Sequence, residues 1–426
     1  MNDNPIITIR TTINAPKEKV WKYWTEPEHI KKWNNASVDW HTTTASNDLR
    51  AGGMFLSRME AKDGSLGFDF SGIYDEVKLY ETIAYTLGDA RKVKINFSEN
   101  ENGTEVIEAF EAETTNSIEM QKTGWQAILD NFKRYTEMQK IVPHLWYDKE
   151  AKEAALFYIS LFEQSKLLKT AVLHNTPSGD VEIVGFELAG QPFDAISAGP
   201  YFAFNPSISL MVACYSMEEV NEKWNALSEG GEVLMPLDEY PFSKWYGWVQ
   251  DRYGLSWQLM LMDNGQTVQK ITPNLLFSNA VCGKAEEAVK YYTEVFENSK
   301  IGLVSHYEDG EATSPHAKIN YAAFNLEGLD FSAMDNGYEA DFDFNEAFSL
   351  TVICEDQNEI DYYWNKLSAV PEAEQCGWVK DKFGVSWQIV PAAIREVMKS
   401  DDVVKIQRMN EAILKMKKIE LANLNL

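Results

Sequence analysis

Basic residues and cysteine are what this chain has least of. Only 39 lysines and arginines stand against 65 acidic residues, a formal charge of -26 over 426 residues. Such a surface repels phosphate backbones and anionic headgroups and has no basic stripe to release counterions. Nucleic acid and membranes are therefore excluded as expected partners. The four cysteines, Cys214, Cys282, Cys354 and Cys376, form no CxxC pair and are too sparse for a disulfide scaffold. No run of about 18 apolar residues occurs, and the start MNDNPIITIR lacks the basic and apolar regions of a secretory signal, so the expected location is the cytoplasm. Also missing are a GxGxG turn for a nucleotide or methyl donor, a Ser-His-Asp pattern, a phosphate-cradling loop and a zinc cluster.

What is present is core-forming material. Hydrophobic residues make up 45% and aromatics 12% of the chain, enough to fill two to four domains. Self-similarity organises the last two thirds. GWVQDRYGLSWQLM at 247–260 returns as GWVKDKFGVSWQIV at 377–390. Upstream, FNPSISLMVACYSMEEVNEKWNALS from Phe204 aligns without gaps on FNEAFSLTVICEDQNEIDYYWNKLS from Phe344. FELAGQPFDAIS from Phe186 aligns on FNLEGLDFSAMD from Phe324, and KIVPHLWYD from Lys140 on KITPNLLFS from Lys270. Length differences fall near 280–284 in the second copy and 230–246 in the first, and both places read as loops.

Within each copy the pattern is strand, helix, three strands, then the same again. In the first copy, an apolar run at 141–147 leads to a helix carrying Ala154, Phe157, Tyr158 and Leu161, followed by strands at 167–173, 181–188 and 193–197. A strand at 207–214, a helix with Val220, Trp224 and Leu227 on one face, and strands ending in LSWQLML complete it. This twofold βαβββ plan gives cupped sheets enclosing a cleft. Cys214 and Cys354 fall at equivalent strand ends, where a small apolar thiol packs well.

The strings KIVPHLWYD, EAALFYISLFEQSK and GWVQDRYGLSWQLM, with EEAVKYYTEVFENSK and GWVKDKFGVSWQIVP, resemble the PhnB-like group of the vicinal-oxygen-chelate superfamily. That group is labelled 3-demethylubiquinone-9 3-methyltransferase-like and is related to glyoxalases and bleomycin-resistance proteins. Metal-dependent members of the superfamily surround a divalent ion with His or Glu from four strands. The matching positions are His144, Asp194, Ser209 and Gln258 in the first copy and Asn274, Ser332, Ser349 and Gln388 in the second. Serine and glutamine are weak neutral ligands, so neither a metal nor any other cofactor is expected. Ser256 and Gln258 share a strand face, as do Ser386 and Gln388. Each amide points into a cleft toward a polar ligand or is a buried group satisfied by its surroundings. His144 reads as a structural or cleft-lining residue or as a base.

The first 137 residues stand outside the repeat. A strand, IITIRTTINA, precedes Pro16 and a helical pair containing Val20, Trp21 and Trp24. Alternating segments at 55–59, 68–77, 82–87, 93–97 and 105–112 follow, and a closing helix places Trp125, Ile128, Leu129 and Phe132 on one face. INAPKEKVWKYWTEPEHIKKW, GGMFLSRM, FSGIYDEVKLYETIAYTL and GWQAILDNFKRY are similar to the family named for the activator of the Hsp90 ATPase, within the START-like (SRPBCC) superfamily. The resemblance implies a helix-grip fold with an apolar cavity. Trp33, Trp40, Phe68, Phe70, Tyr74 and Trp125 are its candidate walls, or else ordinary core.

The expected class is α+β: a helix-grip domain at 1–137, two paired-βαβββ domains at 138–265 and 268–395, and an amphipathic helix at 396–426 packing on the second repeat. That helix has Asp401 or Asp402 as its cap and Val403, Ile406, Met409, Ile413 and Met416 as its stripe. The two copies can pair like the chains of a dimer, giving a monomer or weak dimer overall. Cavity folds without a catalytic constellation point to binding of a small apolar or aromatic molecule. The alternatives are a lyase- or dioxygenase-type enzyme centred on His144, Asp194 and Gln258, and a chaperone-associated scaffold.

Overall fold

Alternation of apolar residues makes the first unit, Met1–Met138, a single curved sheet. In this computed structural model the described residues are 5–37, 39–101, 103–263, 269–400 and 402–424. Strand β1 (Ile6–Ile13) leads to helices α1 (Lys17–Thr25) and α2 (Pro27–Trp33), with Pro27 opening α2, where its missing N–H costs nothing. Six strands follow: β2 (Trp40–Asn47), β3 (Met54–Ala61), β4 (Gly67–Lys78), β5 (Thr82–Leu87), β6 (Lys92–Asn100) and β7 (Gly103–Glu111). They run antiparallel in the order β1-β7-β6-β5-β4-β3-β2. The edge strand β2, WHTTTASN, is absent from the sequence reading because its threonines favour a strand without supplying apolar alternation. Helix α3 (Ile118–Glu137), capped by the Ser117 hydroxyl on the Met120 N–H at 3.2 Å, closes the unit. Leu129 and Phe132 are buried, and Trp125 stacks on Phe110 of β7 at 4.0 Å between ring centres.

In the second unit, Gln139–Leu426, the first repeat supplies β8 (Ile141–Tyr147), α4 (Ala151–Leu161), β9 (Lys166–Thr176), β10 (Gly179–Leu188) and β11 (Gln191–Ser197). Its second half is β12 (Ile208–Cys214), α5 (Met217–Ser228), β13 (Glu232–Tyr240), β14 (Ser243–Gln250) and β15 (Ser256–Leu261). The second repeat gives β16 (Ile271–Phe277), α6 (Ala285–Val295), β17 (Ser299–His306), β18 (Ile319–Leu326) and β19 (Leu329–Asp335). It continues with β20 (Phe348–Cys354), α7 (Gln357–Leu367), β21 (Trp378–Lys380) and β22 (Ser386–Pro391). Two helices end the chain, α8 (Ala392–Lys399) and α9 (Val403–Ile413).

The sheets cut across the repeats. One has the order β21-β22-β20-β8-β11-β10-β9 and the other β13-β14-β15-β12-β16-β19-β18-β17. Each therefore joins the first half of one copy to the second half of the other. The seams are antiparallel, β8 on β20 with Ser349 opposite His144, and β12 on β16 with Ser209 opposite Asn274. Burial explains their composition: every residue of β20, FSLTVIC, and all but Trp146 in β8, IVPHLWY, are buried. Two ion pairs cross between copies beside the seams, Lys140 with Glu359 at 2.6 Å and Lys270 with Glu219 at 2.5 Å.

Two expectations are corrected. Residues 230–246, read as a loop, form most of the β13–β14 hairpin, whose pairing is irregular in register; bulges at an edge break the alternation that would have revealed it. The C-terminal segment is two helices rather than one, broken before the Asp402 cap, which accepts from the Lys405 N–H at 2.9 Å; Asp401 lies outside the described residues. Nor does it pack on the second repeat alone. Gln407 accepts from and donates to the backbone of His174 on β9, a first-repeat strand, while Ile406 and Met409 bury in a cluster that Leu173 and Val390 join. Val403, expected in the stripe, is 65% exposed.

Cys214 and Cys354 end β12 and β20 fully buried, and burial pushes the Cys214 thiol up to about 12. Among the described residues, no helix is long and apolar enough to cross a membrane.

Candidate functional site

The curved sheet and α3 enclose a cavity of about 470 Å³, which Trp33, Trp40, Phe68, Phe70, Tyr74 and Trp125 all line. Trp33 and Tyr74 serve as core as well, being 5% and 7% exposed, whereas Phe68 is 48% exposed. Its polar groups include Tyr74, whose hydroxyl donates to Asn47 Oδ1 at 2.8 Å, and Tyr85.

Sequence reasoning missed one group here. Inward residues on β7 are Thr104, Val106, Glu108 and Phe110, so an acidic side chain occupies a core position. Glu108 lies between Ile9 and Ile95 in register and lines the cavity, and burial pushes its carboxyl up to about 8. An acidic residue flanked by Val106 and Phe110 in an alternating run was the available signal.

In the second unit the sequence-derived positions regroup. The β8–β20 sheet brings together His144, Asp194, Ser349 and Gln388: Asp194 stands opposite His144, the Ser349 hydroxyl is 3.4 Å from His144 Nδ1, and Gln388 Nε2 donates to Ser349 at 3.0 Å. His144, Asp194 and Gln388 border a cavity of about 270 Å³ under α8 and α9. The other sheet gathers Ser209, Gln258, Asn274 and Ser332. There Gln258 donates to Ser209 at 2.7 Å and accepts from the Tyr246 hydroxyl at 2.7 Å, and Ser332 donates to Asn274 at 2.9 Å. Ser256 accepts the Trp248 indole N–H at 2.7 Å. The grouping of His144 and Asp194 with Gln258 is thus not formed, because a copy's two halves belong to different sheets.

A residue from α8 completes the first of these clusters. Arg395 reaches both oxygens of Asp194, at 2.7 and 3.3 Å. No local pattern could have announced a pair 201 residues apart. A divalent ion does not suit this donor set, since the guanidinium sets its charge against the carboxylate and the rest are one imidazole, a hydroxyl and an amide. The second cluster offers only neutral groups. Among the described residues, no three His, Cys, Asp or Glu side chains converge as a metal site.

Burial lowers His144 to about 4, holding the imidazole neutral. The two units should therefore respond oppositely to pH. Between about 4.5 and 8 folded Glu108 keeps a proton that the unfolded chain has released, so its unit loses stability as pH rises, by about 1.4 kcal/mol per pH unit at the steepest. Between about 6.5 and 4 the unfolded chain takes up a proton that folded His144 refuses, so that unit loses stability as pH falls. Thermal unfolding from pH 4.5 to 8.5 should show the first slope flattened in Glu108→Gln and the second in His144→Gln. Slopes unchanged in the variants would count against these assignments.

A family model described as 3-demethylubiquinone-9 3-methyltransferase matches residues 139–260 and 269–390, and one described as activator of Hsp90 ATPase homolog 1-like protein matches 14–137. Among solved structures, an AHSA1-like protein of Aeromonas hydrophila is 45% identical, covering 31% of this chain and 92% of that one, at a TM-score of 0.31. A Cytophaga hutchinsonii protein is 55% identical over 31% of this chain and 91% of its own, at a TM-score of 0.29. A PhnB protein of Bacillus cereus is 40% identical over 29% of this chain and 100% of its own, at a TM-score of 0.28. No curated protein matches. With its two matched segments filling more than half its length, the chain belongs to the 3-demethylubiquinone-9 3-methyltransferase family, carrying that domain twice after an Hsp90-ATPase-activator-homologue domain.

Proposed function

We propose that this protein binds a small hydrophobic or aromatic molecule, and that the cavity of the first unit is the primary site. The observation that carries the reading is that cavity, about 470 Å³ and walled by aromatic side chains, within the roughly 300–1,000 Å³ range of small-molecule sites. Apolar walls supply affinity by surface removed from water, and a few polar groups supply orientation. The smaller cavity beneath α8 and α9 supports a second site, bordered by His144, Asp194 and Arg395. Among its lining groups, Thr351 Oγ1 and Asn410 Nδ2 are buried without hydrogen-bond partners among the described residues.

Methyl transfer is not part of the reading. Among the described residues, the first unit's sheet is antiparallel and both sheets of the second unit are mixed, whereas the methyl donor's usual place is a glycine-rich turn heading a doubly wound parallel sheet. An enzyme centred on His144, Asp194 and Gln258 is disfavoured by the separation of Gln258 from the other two.

Gly124 of α3 provides the test. It lines the cavity, and a Cβ added there meets no atom within 4 Å. Gly124→Leu should fill the site while gaining roughly 0.5–1 kcal/mol of helix propensity. Titrated with the neutral fluorophore N-phenyl-1-naphthylamine, the wild-type protein should bind, and Gly124→Leu should bind at least about tenfold more weakly with an unchanged or higher melting temperature. Absence of binding, or equal binding by both, would sink the proposal.

A further inference from the structure

We infer that the cavity of the first unit selects apolar or aromatic molecules carrying a basic amine, with Glu108 holding the ammonium. The inference rests on the binding role proposed above and adds the chemical class of ligand.

An isolated carboxyl is costly inside an apolar cavity, and proteins normally neutralise one with a partner. Glu108 is 5% exposed, and among the described residues no hydrogen bond to its carboxyl accompanies the burial that raises it. The remaining titratable groups lining this cavity are Tyr74 on β4, Tyr85 on β5 and Arg91 between β5 and β6; α1, α2 and α3 contribute none. Arg91, the one built-in cation among them, is engaged elsewhere: Nε donates to Asp89 at 2.8 Å and Nη1 to the Glu111 carbonyl at 3.3 Å. Tyr74 donates to Asn47. Nothing in the wall neutralises Glu108, so the position suits a charge brought in by the ligand.

An ammonium supplies that charge. It converts a protonated, unpaired carboxyl into an ion pair in a low-dielectric pocket whose lining includes the aromatic rings of Trp33, Phe70, Tyr85 and Trp125, side chains of the kind that attract cations. Because the empty site holds its proton at neutral pH, binding of a charged amine there should release a proton.

Three naphthyl probes of similar size separate the possibilities: 1-naphthylmethylamine, 1-naphthylmethanol and 1-naphthoate, titrated calorimetrically at pH 7 into the full chain and into Glu108→Gln. The amine should bind wild type at least about tenfold more tightly than the alcohol, and the naphthoate more weakly than either. Its binding heat should vary with the buffer's ionisation enthalpy as a proton is released. Glu108→Gln should abolish the amine preference and the proton release while leaving alcohol binding within about twofold, which also shows that the variant is folded. Equal binding of amine and alcohol to wild type, or an amine preference that survives in Glu108→Gln, would overturn the inference. Failure of every probe to bind wild type would overturn the binding role itself.

Discussion

Expressed alone as residues 139–263, the first repeat should elute as a dimer. Its β8 and β12 take their antiparallel neighbours, β20 and β16, from the other repeat. A solitary copy would expose both strands as long apolar edges, and such edges pair with whatever matches them. The other repeat's strands are chemically close substitutes: KIVPHLWYD stands for KITPNLLFS, and SLMVAC for SLTVIC. Two isolated copies can therefore rebuild both seams, β8 of one on β12 of the other, with twofold symmetry. Sedimentation or light scattering checks this, and a folded monomer that persists at tens of micromolar would refute it.

Asp381→Ala should cost about 3–5 kcal/mol, a magnitude appropriate to removing one member of a buried charged network. This carboxylate, 1% exposed, accepts from the Tyr292 hydroxyl at 2.7 Å, the Trp387 indole at 2.8 Å, and the Phe383 and Val385 N–H groups at 2.8 and 3.1 Å. Burial raises its pKa against the pull of those four donors. Alanine leaves all four without an acceptor and opens a cavity beside Trp387. Asp251 repeats the arrangement with Tyr158, Trp257, Tyr253 and Leu255, so Asp251→Ala should cost a similar amount. Denaturant unfolding reads the effect directly, and losses below about 1 kcal/mol in both variants would show that the networks are incidental. Tyr292 lies on α6, over the β12–β16 sheet, whereas Asp381 lies in the turn joining β21 to β22 of the β8–β20 sheet. Each network thus ties the two sheets together.

These aspartates explain why DRYGLSW and DKFGVSW are the clearest repeated strings. The tight turn at Gly254 and Gly384, with φ of +85° and +91°, needs a residue free to adopt left-handed backbone, and the Asp three positions earlier gathers the turn's N–H groups. Here local chemistry was enough to mark the motif. Alternation likewise marked the walls of the first cavity, because a strand's period of two assigns faces without reference to any neighbour. It could not mark Arg395, whose partner Asp194 is reached only after the chain has passed through three further half-repeats.

Taken alone, the sequence determined the class of each half-repeat, the helix-grip plan of the first unit, and membership of the groups that both resemblances suggested. The first follows from propensity, periodicity and local turns, and the other two from the resemblance of whole strings to known families. Tertiary structure decided which half meets which. Four half-repeats with nearly equivalent seam strands, three of them βαβββ and the last βαββ, satisfy the same apolar pattern in more than one pairing, so the pattern cannot choose among them. The seams set β16 beside β12 and β20 beside β8. That exchange split His144 and Asp194 from Gln258 and placed them with Ser349, Gln388 and Arg395. It moved the site from within one repeat to the junction of two.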